Sequence, residues 1–80
     1  MNKQSMENGA EFKIRSYGRT ELALLYSPEL SAPGAFRRLQ RWILRSPGLM
    51  QRLEDLGYDE HNRSFTPLEV RVIVEALGEP

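Results

Sequence analysis

Apolar residues recur along the first part of this chain with two different periods. Residues 11–16 alternate between apolar and polar side chains, as a half-buried strand does, and Gly18 ends the alternation. Residues 20–26 are rich in helix formers and must stop near Ser27-Pro28, because proline disfavours a helical conformation in the residue before it. The pattern therefore predicts a strand over 11–16 and a helix of about two turns over 20–26.

The middle of the chain predicts two more helices. A turn-forming segment leads into a helix over 33–45. Ser46 and Pro47 then provide a start signal for a third helix, with the serine as N-cap and the proline at the first helical position, and Gly57 closes it. We expect the inner faces to carry Phe36, Leu39 and Ile43 in one helix and Leu49, Leu53 and Leu56 in the next, with Trp42 flanking the first face as a core-edge residue or an interface anchor.

The last third of the chain predicts a short irregular segment and a final helix. Residues 58–65 lack helical periodicity, and the extended piece at 63–65 could pair with the first strand. Thr66, Pro67 and Glu69 combine an N-cap, a first-turn proline and the glutamate of a capping box, so the final helix opens there and ends at Gly78. Its core face should carry Val70, Ile73, Val74 and Leu77.

Together these elements predict a mainly α fold with a small β component. A small sheet beside about four helices is the make-up of a winged helix-turn-helix module. We therefore expect a single winged-helix-like domain over residues 11–80, after a polar, disordered N-terminal tail at residues 1–10.

Length and composition narrow the class further. Eighty residues make one small domain that buries a limited core, so a second subunit is one route to extra stability. The chain has no cysteine, which excludes disulfides and thiolate chemistry and suits the cytoplasm. No apolar run approaches the roughly 18 residues of a membrane span, so we expect no membrane association.

The net charge is zero, but the charges are segregated along the chain. Residues 30–53 carry five arginines and no acid, whereas residues 54–80 carry seven acids and two arginines. Four of the five arginines share one arc of roughly 100° on the predicted helix. These four are Arg37, Arg38, Arg41 and Arg45. A basic stripe of this kind suits contact with DNA phosphates, contact with an acidic protein surface, or simple solvation.

The sequence offers no set of catalytic residues. The single histidine, His61, lies among consecutive polar residues at 59–62 that cannot all converge on one metal ion, and a second cluster is missing. No nucleophile, base and orienting group can be assigned, and no Gly-rich phosphate loop is present. We therefore expect a protein that is not an enzyme, with no metal, no cofactor and no small-molecule substrate.

Two family resemblances follow from longer motifs. The segments 12–26 and 39–43, the pair Gly57-Tyr58, Phe65-Thr-Pro-Leu-Glu-Val70 and the closing Leu-Gly-Glu-Pro resemble an uncharacterised family of short proteins from gut anaerobic bacteria. That resemblance implies a compact cytoplasmic domain without an assigned activity.

Thr20-Glu-Leu-Ala, Arg41-Trp42 and residues 63–70 are more weakly similar to the DNA-binding domains of mercury-resistance-type (MerR-like) regulators and of excisionase-like proteins. This second similarity implies a recognition helix carrying Arg37, Arg38, Arg41 and Arg45, and a wing near Arg63. The connection from Tyr26 to about Pro33 is longer than usual for that motif, and an extra helix precedes the wing.

From the stripe and the weaker resemblance we expect a small DNA-binding accessory or regulatory protein. Arg37, Arg38, Arg41 and Arg45 would hold the DNA backbone, with Arg15, Arg19 or Arg63 at the periphery. The alternative is a protein-interaction or self-association module, in which the basic segment of one copy meets the acidic segment of another as a homo-oligomer.

Overall fold

The structure is a computed structural model and describes residues 11–80, so the predicted disordered tail at residues 1–10 lies outside the described residues. Within these residues, four helices and two short strands follow one another. They are β1 (Tyr17–Gly18), α1 (Arg19–Tyr26), α2 (Ala32–Arg45), α3 (Leu49–Asp55), β2 (Ser64–Phe65) and α4 (Pro67–Leu77). The prediction of a mainly α fold with four helices and a small β component is confirmed.

The two strands form a small antiparallel sheet. Tyr17 lies opposite Phe65, and Gly18 lies opposite Ser64. Pairing between the two extended segments was expected, but the predicted position of the first strand, residues 11–16, is wrong. The alternation there has another cause, because Phe12 stacks on the Tyr17 ring with centroids 5.2 Å apart while Ile14 stays exposed.

Helices α1 and α2, joined by the turn at residues 27–31, form the most extensive helix pair of the fold, here called the α1–α2 hairpin. Ser31 caps α2, since its hydroxyl accepts a hydrogen bond from the Gly34 N–H at 3.2 Å. Leu39 and Ile43 are buried as predicted, together with Ala35, whereas Phe36 is only partly buried.

The start of α3 departs from the prediction. Ser46 is the C-cap of α2 and donates its hydroxyl to the Trp42 carbonyl at 3.0 Å, so it does not open the next helix. The N-cap of α3 is Gly48, whose φ of +76° turns the chain sharply. Because α3 ends at Asp55, Leu56 lies beyond it and is 41% exposed, and its predicted place in the core is wrong.

The start of α4 is as predicted. The Thr66 hydroxyl accepts from the Glu69 N–H at 3.2 Å, and the Glu69 carboxylate accepts from the Thr66 N–H at 2.9 Å. Glu69 is only 2% exposed, so this reciprocal pair satisfies a carboxylate inside the fold. Val70 and Ile73 are buried in a single core that all four helices and both strands share.

Candidate nucleic-acid interface

The outer face of α2 carries three arginines in line. Buried residues recur every four positions on the inner side of this helix, which places Arg37, Arg41 and Arg45 on the opposite, solvent side. We call these three residues the arginine face. The three positions are four residues apart, and an α-helix rises by about 1.5 Å per residue, so they are spaced by about 6 Å along the axis.

No acid within the described chain neutralises the arginine face. Helix α2 contains no aspartate or glutamate. Within residues 11–80, none of the three arginines makes an ion pair, in contrast to Arg15, Arg38 and Arg52. The arginine face is therefore a local charge of +3 that is open to a partner.

The fourth arginine of the predicted stripe, Arg38, is engaged inside the molecule. Its Nη1 donates to the Ser27 hydroxyl at 3.0 Å and to the Glu29 carboxylate at 2.8 Å. Its guanidinium also lies over the Trp42 ring, 5.4 Å from the centroid. The Glu29 backbone N–H, and after it the Arg38 guanidinium, hold the pKa of Glu29 below its ordinary value. Arg38 thus lies at the contact between α2 and the turn that joins it to α1.

Arg63 lies on the short sheet side of the molecule and is exposed. Its carbonyl accepts a hydrogen bond from the Arg19 N–H at 3.0 Å. The Arg19 guanidinium in turn lies over the Phe36 ring, 4.9 Å from the centroid, and donates to the Glu60 carbonyl at 3.1 Å. These contacts connect the turn that carries Arg63 to the N-terminal half of α2, where Arg37 lies.

Arg15, expected at the periphery of the site, has partners in its own segment. Its guanidinium lies 3.8 Å from the centroid of the Tyr17 ring and pairs with Glu21 at 3.2 Å. The Gly18 N–H, followed by the Arg15 guanidinium, holds the pKa of Glu21 below its ordinary value. Arg15 is therefore engaged with β1 and the first turn of α1.

A second polar cluster surrounds His61. A shallow cleft of about 240 Å³ is lined there by Met50, Glu54, Tyr58, Asp59, Glu60 and His61. The His61 backbone N–H and, after it, the His61 ring hold the pKa of Asp59 below its ordinary value. Across residues 11–80, no group of three or more histidines, cysteines or acids is placed to hold a metal ion.

One exposed residue of α2 was not singled out by the sequence. Leu44 lies between Arg41 and Arg45 in the chain and is 67% exposed, the highest value among the large apolar residues of the described chain. The available signal was its position, because a leucine just after the buried Ile43 falls outside the four-residue period of the core positions. The outer side of α2 thus combines arginines with one projecting apolar side chain.

Comparison with known proteins assigns the family. A domain of unknown function, DUF4248, matches residues 13–80, which is most of the chain, and the protein belongs to this family. No curated protein and no solved structure matches the chain. In the described part of the chain, no helix has the length and apolarity needed to cross a membrane.

Proposed function

We propose that this protein is a small, non-catalytic DNA-binding accessory or regulatory protein, and that the arginine face of α2 contacts the phosphates of a duplex. The observation that carries the proposal is the charge of the arginine face, which no acid within residues 11–80 neutralises. At about 1.5 Å per residue, α2 is about 21 Å long, and a helix of ordinary width fits the major groove.

The proposal gives the predicted site residues different roles. Arg37, Arg41 and Arg45 contact phosphates, and Arg63 is a peripheral contact on the side of the sheet. Arg38 holds α2 against the turn between α1 and α2 through its hydrogen bonds to Ser27 and Glu29, so it positions the helix and does not contact DNA. The two-strand sheet takes the place of a wing, as the weaker resemblance to MerR-like and excisionase-like domains implies.

The size of the site sets the expected strength of binding. Each neutralised phosphate contributes about −0.9 to the slope of log affinity against log salt, so three contacts give about −2.7 and four give about −3.6. A neutral chain of 80 residues supplies little further attraction. We therefore expect weak binding to random DNA with a clear dependence on salt, by a protein that works in the cytoplasm.

The test is fluorescence anisotropy of a labelled random duplex across a salt series. Replacing Arg41 and Arg45 by glutamine should weaken binding at low salt and make the slope shallower by about 1.8. Lys13→Gln with Arg71→Gln is the matched control, because it removes two exposed cations that make no ion pair within residues 11–80. Equal losses in both double variants would show that the arginine face is not the site. A folded protein that binds no duplex at low salt would exclude the proposal.

A further inference from the structure

A groove lies on α1, between the segment that precedes β1 and the last residues of the chain. Its volume is about 430 Å³, and Phe12 and Leu25 contribute apolar surface to its lining. Leu25 is 45% exposed, so an apolar side chain on α1 is open to a partner there. Three acids, Glu11, Glu21 and Glu79, also line it, together with Arg15. We call this feature the acidic groove.

Local contacts fix the walls of the acidic groove. Phe12 is stacked on the buried Tyr17 with the two rings 7° from parallel, which holds one wall in place. The hydroxyl of Tyr26 donates to the Gly78 carbonyl, which ties the C-terminal wall to α1. Contacts within a single copy of the chain therefore hold two walls of the groove.

The charge of the acidic groove is incompletely compensated. Arg15 forms an ion pair with Glu21 at 3.2 Å, which compensates one of the three acids. Glu11 and Glu79 are exposed, and neither makes an ion pair within residues 11–80. Three acids and one arginine leave a local charge of −2, next to apolar surface.

The arginine face has the complementary composition. Leu44 projects from α2 beside Arg41 and Arg45, which are three residues before it and one residue after it. An apolar side chain flanked by cations on one surface thus corresponds to an apolar patch flanked by acids on another. The surfaces lie on different helices, so one copy of the chain carries both halves of a contact.

We propose that the arginine face of one copy docks into the acidic groove of a second copy. Leu44 of the first copy packs against Leu25 and Phe12 of the second, while Arg41 and Arg45 pair with Glu11 and Glu79. This contact is heterologous, so it either closes into a ring or extends, and it is sensitive to salt. It covers the arginines that contact DNA in the proposed function, so DNA and a second copy compete for α2.

The acidic groove suits this contact better than the cleft at His61. Tyr58 in that cleft is only 8% exposed, so the cleft presents less apolar surface for Leu44. One of its acids, Asp59, is already hydrogen-bonded to the His61 ring at 2.9 Å. The cleft, which also has three acids in its lining, therefore provides an acidic control site.

Two charge-reversal variants test the contact. The first is Arg41→Glu with Arg45→Glu, which makes the outer face of α2 acidic. The second is Glu11→Arg with Glu79→Arg, which makes the groove basic. All four side chains are exposed, and none makes an ion pair within residues 11–80, so both variants should fold. Sedimentation velocity over a concentration series should show association of the unmodified protein at low salt and monomers for each variant alone.

An equimolar mixture of the two variants is the most direct test of the contact. In an equimolar mixture each reversed surface meets an oppositely charged one, so association should return. Glu54→Arg with Glu60→Arg reverses the cleft at His61 and should leave self-association unchanged. An unmodified protein that stays monomeric at roughly 1 mM and low salt would overturn the proposal, as would a mixture that stays monomeric or a control that also dissociates.

DNA binding, measured in parallel, separates this inference from the proposed function. The groove variant keeps the arginine face and should bind duplex at least as tightly as the unmodified protein, because its arginines are no longer covered. If self-association is lost in both variants while neither the unmodified protein nor the groove variant binds DNA, the contact between copies stands and the DNA proposal fails.

Discussion

The α1–α2 hairpin and helix α3 are anchored in different ways. The hairpin is joined by directed side-chain contacts, in which the Tyr26 ring meets the Trp42 ring edge-on and Arg38 reaches Ser27 and Glu29 across the turn. Helix α3 has seven residues and no side-chain N-cap, and its buried side chains are Leu49 and Leu53 alone. A helix this short has little stability of its own and depends on its packing.

Because of this difference in anchoring, the charged surface of the protein and its least stable helix lie in different regions. The arginine face is carried by the better-anchored pair of helices, and its three side chains are exposed and make no ion pair within residues 11–80. Its charges can therefore be changed without unfolding the domain. Local opening should begin at α3, and the three substitutions below test this contrast in order of decreasing effect.

Leu53→Ala should give the largest loss of stability. Leu53 is fully buried, so its truncation removes apolar contacts and leaves a cavity under a helix that has few other anchors. We expect the free energy of unfolding to fall by about 2–5 kcal/mol, measured by denaturant titration. Leu44→Ala makes the same chemical change on the exposed side of α2 and should cost less than about 0.5 kcal/mol. Similar losses in both variants would contradict the contrast between the two regions.

Gly48→Ala should have the next largest effect. The residue has a φ of +76°, where a Cβ atom approaches the following carbonyl, although nothing else lies within 4 Å of the position. We expect a loss of about 1–2 kcal/mol, from the backbone alone. Gly18→Ala is the control, because its φ is −59° and the nearest atom would be 3.6 Å away. Thermal unfolding of the two variants compares them, and equal losses would remove the left-handed backbone as the cause.

Tyr26→Phe should have the smallest effect of the three, and it depends on pH. Loss of the hydrogen bond to the Gly78 carbonyl should cost about 1 kcal/mol near neutral pH. Burial, helped by the negative charge of Glu79, raises the pKa of Tyr26 from 10.0 to about 12. The neutral phenol thus stabilises the fold fully below pH 10, and this contribution is lost as the pH rises towards 12.

Unfolding titrations at several pH values between 9 and 12 measure this contribution. The unmodified protein should lose stability across that window, and the Tyr26→Phe protein should lose less, since Tyr58, whose pKa burial also raises, remains. Parallel curves for the two proteins would show that the Tyr26 hydroxyl does not titrate differently in the folded chain.

Sequence reasoning succeeded where the signal is local. The start of α4 depends on three neighbouring residues that satisfy one another, so Thr66, Pro67 and Glu69 specify it without reference to the rest of the fold. The prediction of the start of α3 was wrong because a serine before a proline can also end the preceding helix. Ser46 ends α2 in this way, with its hydroxyl donating to the Trp42 carbonyl. The choice depends on how α2 leaves the core, which no local pattern contains.

In the candidate site, too, sequence predicted what depends on local spacing and missed what depends on tertiary contacts. Helical spacing identified Arg37, Arg41 and Arg45 as neighbours, because a single helix fixes their arrangement. Arg38 belongs to the same spacing, but its partner Glu29 lies nine positions earlier, across the hairpin turn. Only the tertiary pairing of α1 with α2 shows that this arginine is occupied.

The packing around Trp42 also gives the protein an intrinsic fluorescence probe. It is the chain's single tryptophan, and it lies on α2 with the Tyr26 ring on one side and the Arg38 guanidinium near its face. Its emission should therefore respond to any ligand that shifts Arg38. Energy transfer from Tyr26, whose ring centroid lies 6.1 Å from that of Trp42, should weaken when the two helices separate. Binding and unfolding can thus be followed in unlabelled protein through one indole.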